Sequence, residues 1–159
     1  MTADKNPMTV RGKALLESEL KRLIHEERPA VIRAIEEARA HGDISENAEY
    51  DAAKDRQSLI EGRIGEIQGK LATAEVVDPS QLKSETVVFG AHVKMLDLET
   101  EEEHSYQIVG MDEADVKQGL ISILSPIARA LIGKRKGDTV VVQSPKGDRE
   151  YEILSFEFK

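Results

Sequence analysis

The chain has 159 residues, 40% of them hydrophobic but only 4% aromatic, with no Trp and no Cys. That length suits one ordinary domain or two small ones, and the missing Cys excludes disulfides, zinc–thiolate sites and a Cys nucleophile. With a net charge of −8, the chain is a poor candidate for wrapping nucleic acid by phosphate neutralisation. Any role there has to be local or act through a partner that already holds the strand. No apolar run approaches the roughly 20 residues of a membrane span, and the opening MTADKNPMTVRGK lacks a signal-peptide core. A soluble, cytoplasmic monomer without membrane contact is expected.

In chain order, Thr9 is placed to cap a first helix. Apolar residues then step by three and four through Leu16, Leu20, Leu23, Ala30 or Val31, Ala34 and Ala38. Pro29 removes one backbone donor within this run and predicts a kink around residues 25–28. A second run keeps a heptad seam through Ala53, Ile60, Ile64, Ile67, Leu71 and Ala74, with Gln57 at its polar position. Two seams joined by His41-Gly42-Asp43 predict an antiparallel helical hairpin about 45 Å long. Neither helix is stable alone in water, so pairing of the seams is what stabilises both. Gly42 suits the left-handed end of the first helix, and Asp43 suits the cap of the second.

The seam stops near Val77-Asp78-Pro79-Ser80-Gln81, which reads as a linker, and beyond it the apolar period becomes two. Residues 87–89, 91–98, 104–109, 120–123, 139–143 and 151–158 are predicted strands. Ser144-Pro145-Lys146-Gly147-Asp148 is a hairpin turn. Ser125 and Pro126 supply the cap and first turn of a short helix over 127–132, ended by Gly133. The expected fold class is α+β. A coiled-coil hairpin spans 1–78, with an acidic tip at 41–50, and a small antiparallel sheet with one short helix spans 79–159.

The tip, HGDISENAEYDAAK, raises the functional question. Asp43 and Glu46 have the spacing of a capping box, in which each side chain takes the other's backbone N–H, and acids are favoured at a helix N-terminus. Spacing alone favours that plain reading. It leaves Glu49 and Asp51 unexplained, because crowded like charges repel and a cap does not need them. A rod ending in a carboxylate pair is also suited to delivering it. Hard oxygen ligands match Mg²⁺, which typically takes one or two protein carboxylates and draws its other ligands from water or phosphate. Two carboxylates are too few for a tight site alone, but they can complete a site that another macromolecule half supplies.

The tip GDISENAEYDAAK, the following EGRIGEIQGKL and the later ISILSPIARALIGKRKGD closely resemble the bacterial GreA/GreB transcript-cleavage factors, nearer to the GreA branch. The likeness runs from MTVRGKALLESEL to the C-terminal strand. It implies a coiled-coil hairpin followed by an FKBP-like domain. That domain would dock on the rim of the secondary channel of bacterial RNA polymerase, and the hairpin would enter the channel. Asp43 and Glu46 match the family's tip acids, which are thought to help hold a second, loosely bound Mg²⁺ shared with the polymerase and to orient the attacking water. The polymerase then cuts backtracked RNA and exposes a new 3′ end. The resemblance implies no stand-alone enzymatic activity and no Mg²⁺ held by the isolated chain.

Lys54 stands where the family often has Arg. With Arg56 it is the candidate contact to the nascent RNA 3′ segment, although i,i+4-paired, solvated charges account for both about as well. Ser125 and Pro126 are the candidate polymerase-docking residues, against the plain alternative of a well-capped helix on its own sheet. Asp112-Glu113-Ala114-Asp115 reads as an acidic loop and is assigned no metal. His41 is placed to cap the first helix. Two other functions compete: a non-cleaving channel modulator, from which the intact Asp43 and Glu46 pattern differs, and a prolyl isomerase. The isomerase would need an aromatic pocket, whereas strand periodicity turns most of Phe89, Tyr106, Tyr151, Phe156 and Phe158 into the core.

Overall fold

The structure, a computed structural model, describes residues 5–42 and 47–159. Contacts divide it into two units. One comprises Ala14–Ala74, and the other comprises Lys5–Lys13 with Glu75–Lys159.

The first unit is the helical hairpin. Helix α1 (Val10–Arg22) follows strand β1 (Asn6–Thr9), and Thr9 caps it as expected: its hydroxyl accepts from Gly12 N at 3.0 Å. A π-helical turn, Leu23–Glu27, separates α1 from α2 (Arg28–Ala40). Here the expected disturbance before Pro29 takes a definite form. Proline cannot donate, and in an α-helix its ring would crowd the carbonyl four residues back. The widened turn relieves this, with Arg28 N–H reaching Leu23 O. Helix α3 (Ala48–Ala72) returns along this pair. Its buried positions Ala53, Ile60, Ile64 and Ile67 face a file containing Leu16, Leu23, Val31, Ile35 and Ala38. The seams largely follow the positions the sequence marks, but Leu20 and Leu71 are only half-buried, and Ile35 rather than Ala34 is the buried member. Beside the file, Arg63 forks onto Glu19 at 2.8 and 2.9 Å, and Arg28 forks onto Glu61 at 2.7 and 2.9 Å. Those guanidinium hydrogen bonds hold both carboxyls below their ordinary pKa.

Several short elements, β1 among them, lie outside the sequence expectation. Strand β2 (Ala74–Val77) follows α3 and pairs with β1 in a two-stranded sheet, so Ala74 belongs to a strand rather than to the seam. The 3₁₀ turn Pro79–Gln81 is capped by Asp78.

In the second unit, β3 (His92–Asp97), β4 (Glu103–Val109), β5 (Leu120–Ser122), β6 (Thr139–Val142) and β7 (Arg149–Glu157) form a five-stranded sheet in the order β5-β4-β3-β7-β6. The sheet is mixed rather than wholly antiparallel. β5 lies parallel to β4, with Gln107 opposite Leu120, whereas the other pairs are antiparallel. A parallel partner needs a crossover, and residues 110–119 provide it. Helix α4 (Pro126–Leu131) packs on the sheet, closing a core of Val87, Ala91, Val93, Met95, Ile108, Ile121, Ala128, Leu131, Val140 and Ile153. The expected strand at 87–89 is absent. Val87 is fully buried but makes only a pair of backbone bonds, to Gly133 and Lys134, which is too few for a ladder. No helix among the described residues is long and apolar enough to cross a membrane.

Candidate functional site at the hairpin tip

The hairpin closes through a set of short contacts. The last turn of α2 ends at His41, whose backbone N–H reaches Ala38 O. Gly42 follows at φ 127, a conformation that a side chain would resist. Asp43 and Glu46 lie outside the described residues. On the far side, Asn47 sits extended at φ −95 and is the N-cap of α3, its Oδ1 accepting from Tyr50 N at 3.1 Å. Its Nδ2 donates to Ala38 O at 2.6 Å. One amide therefore starts the second helix and fastens it to the end of the first. Asn47 takes the capping role expected of Asp43.

Two further contacts brace the same end. His41 Nδ1 lies 3.2 Å from Glu49 Oε2, and the Arg39 guanidinium lies over the Tyr50 ring, 5.7 Å from its centre. His41 is thus tied to Glu49 across the turn in addition to closing the last turn of α2. Glu49 and Asp51 occupy the first turn of α3, where the helix dipole favours negative charge.

The candidate RNA contacts lie on α3 a little below the tip. Lys54 Nζ bonds Gln57 Oε1 at 3.1 Å, and Arg56 Nη2 stands 3.5 Å from Glu27 Oε2, on the π turn of the opposite arm. Arg56 remains 52% exposed at its side chain, so this shared ion pair leaves much of its guanidinium open to solvent.

In the second unit, Ser125 is committed to its helix. Its Oγ donates to Ser122 O at 2.6 Å and accepts from Ala128 N at 3.2 Å. Pro126 is exposed. Of the two candidate docking residues, Pro126 is the one that presents surface, and Ser125 shapes the turn that carries it. The acidic run 112–115 is not a uniform solvated loop, because Glu113 is buried among partners from the chain's beginning. Nothing local in the sequence marks this. The only signal was Thr9 followed three residues later by Gly12, which reads equally as an ordinary cap. A concavity of ≈ 450 Å³ on this unit is bordered by His92, Lys94, Ser105 and Gln107 among others. Of this unit's five aromatics, Tyr106 and Phe156 border it, while Phe89, Tyr151 and Phe158 pack against the core.

Two family descriptions match the chain: "Transcription elongation factor, N-terminal" over residues 6–76 and "Transcription elongation factor, GreA/GreB, C-term" over residues 82–158. Among curated proteins, transcription elongation factor GreA of Acidiphilium cryptum is 59% identical over 97% of this chain and 98% of that protein. Those of Halorhodospira halophila and Beijerinckia indica are 58% and 59% identical, each over 98% of this chain and 99% of theirs.

Proposed function

The chain belongs to the GreA/GreB family of transcription elongation factors, and from that premise we propose that its hairpin tip serves the active centre of RNA polymerase in cleaving backtracked transcripts. The observation that carries this reading is the capping of α3 by Asn47. The cap of α3 is Asn47 rather than Asp43, which weakens the plain capping reading of the two acids and supports reading them as metal ligands.

Their chemistry fits Mg²⁺. Both are hard oxygen donors, and a site needing one or two protein carboxylates is completed by ligands that polymerase and RNA bring. Bound there, Mg²⁺ would supply charge stabilisation and water activation in phosphodiester hydrolysis. Asp43 and Glu46 would hold that ion and accept a hydrogen bond from the attacking water, fixing its approach to phosphorus. The water oxygen forms the new P–O bond, the bond to the 3′ oxygen of the upstream nucleotide breaks, and that oxygen leaves as a fresh 3′ hydroxyl. Lys54 and Arg56 would steady the extruded RNA by its phosphates, and the second unit would dock around Pro126. The chain has no catalytic role away from the polymerase in this scheme.

The test is a stalled, backtracked elongation complex with labelled RNA. Wild-type protein should release short 3′ fragments quickly. Asp43→Ala and Glu46→Ala should keep the fold and polymerase binding but lose about two orders of magnitude or more of stimulated cleavage. Full cleavage by either variant would remove that residue from the site. Absent cleavage by the wild type, with binding intact, would make the protein a channel-occupying modulator.

A further inference from the structure

The crossover after β4 carries a buried carboxylate that the tip mechanism does not use. Glu113 belongs to an acidic run, yet it is 7% exposed. Its partners lie 104 and 102 residues earlier in the chain: the Thr9 hydroxyl donates to Oε1, and Arg11 Nη1 donates to Oε2 at 3.1 Å. The same Thr9 oxygen accepts Gly12 N–H at 3.0 Å. A single hydroxyl therefore caps α1 and grips the carboxylate. The packing is close on both sides of this node. A Cβ at Gly12 would stand 3.0 Å from Glu113 Oε1, and one at Gly110 would come within 2.4 Å of Pro7 O.

The node is notable for its place in the chain. Lys5–Lys13 packs as part of the C-terminal unit, whereas the same helix α1 belongs to the hairpin unit from Ala14 onward. Glu113 thus holds the first turn of a helix whose remaining turns make up the first part of the hairpin's outgoing arm. Charge-assisted bonds to a buried carboxylate are strong and directional, and removing either partner leaves an uncompensated group inside the protein.

We infer that Glu113 is a positioning residue: with Thr9 and Arg11 it fixes the first turn of α1, the root of the helix that runs on into the outgoing arm of the hairpin. The inference rests on the tip reading above. Misplacement by about 1 Å at a reacting centre costs on the order of a hundredfold in rate, so a loosened root should depress cleavage without touching any residue that meets the RNA.

The experiment compares Thr9→Val, which keeps the shape but removes the donor and the cap, with Thr9→Ser, which retains both, and with Glu113→Gln, which keeps the shape but removes the charge. Three readouts are taken: hydrogen exchange at amides 10–13 and along α3, affinity for polymerase, and cleavage in the backtracked complex. Thr9→Val and Glu113→Gln should exchange about tenfold faster at 10–13, with α3 unchanged. Both should bind polymerase like the wild type and cleave about tenfold or more slowly, while Thr9→Ser matches the wild type throughout. Wild-type cleavage from a loosened root would overturn the positioning role, and unchanged exchange in Thr9→Val and Glu113→Gln would overturn the clamp itself. If Thr9→Val did not fold, Glu113→Gln would decide the same question. A wild-type protein that fails to stimulate cleavage would refute the tip reading, and the exchange data alone would then decide whether Glu113 holds the root.

Discussion

In the hairpin, burial runs along a single file of side chains, from Leu16 to Ala38 on one arm and from Ile67 to Ala53 on the other. In the C-terminal unit it converges: Val93 and Met95 of β3, Ile108 of β4, Ile153 of β7 and Leu131 of α4 share one cluster. Charge is deployed differently as well. The hairpin's Arg63–Glu19 and Arg28–Glu61 forks are partly or largely solvated rungs beside the file, whereas Asp97 and Glu113 are buried carboxylates that organise loops. A file gives length at the cost of local stability, because each position has neighbours only across the seam. A convergent core surrounds each buried position with neighbours from several elements.

Truncation should draw this distinction most sharply. Ile108→Ala should destabilise the C-terminal unit by about 3–5 kcal/mol, and Ile67→Ala should cost the hairpin about 2–3 kcal/mol, because a seam relaxes more readily around a cavity. Denaturant unfolding followed by separate probes in each unit checks this, since the units need not melt together. Equal losses would mean that the hairpin is as consolidated as the core.

A smaller effect separates the two kinds of charge. The Asp97 carboxylate accepts from Glu99 N at 2.9 Å, Thr100 N at 3.2 Å and Arg149 Nη1 at 2.9 Å. The Glu99 backbone bond, with Thr100 and Arg149 behind it, pulls its pKa below the ordinary 3.8. The folded state therefore binds its proton less readily than the unfolded chain does. Its contribution is complete above the unfolded pKa and is lost as pH falls through the lower, folded value. Asp97→Asn should lower stability at neutral pH and flatten the acid limb of the C-terminal unit below about pH 4. An unchanged acid limb would show that this carboxylate does not govern it.

The smallest expected change is a gain. Gly65 lies on an exposed part of α3, and a Cβ there meets nothing within 4 Å. Gly65→Ala should stabilise the hairpin by about 0.5–1 kcal/mol, read as a rise in its unfolding midpoint. A loss would mean that this face is engaged by something the isolated chain lacks.

The file was the most legible part of the sequence, since heptad spacing of Ile60, Ile64 and Ile67 has few other interpretations. Pro29 announced a distortion, although only the structure gives it the form of a π turn. The β1–β2 ribbon was hidden because four-residue strands carry too little period to register. The parallel β5 was hidden because strand direction depends on the path of the crossover, not on the strand's own residues. At the tip, the sequence pointed to Asp43 as the cap of the second helix, whereas Asn47 holds that place. Asn47 wins that role because an amide can accept from Tyr50 N and donate to Ala38 O together, and a carboxylate cannot donate. Glu113 was illegible because its partners are remote in the chain.

The central claim is that the tip shares a metal ion with the polymerase, and the most direct test is a Mg²⁺ titration of transcript cleavage in a backtracked complex. With wild-type protein, cleavage should begin at Mg²⁺ concentrations where polymerase alone is nearly inactive. Glu46→Gln or Asp43→Asn should return the midpoint to that of polymerase alone. A midpoint that the protein leaves unmoved, with only the plateau raised, would contradict metal sharing by Asp43 and Glu46.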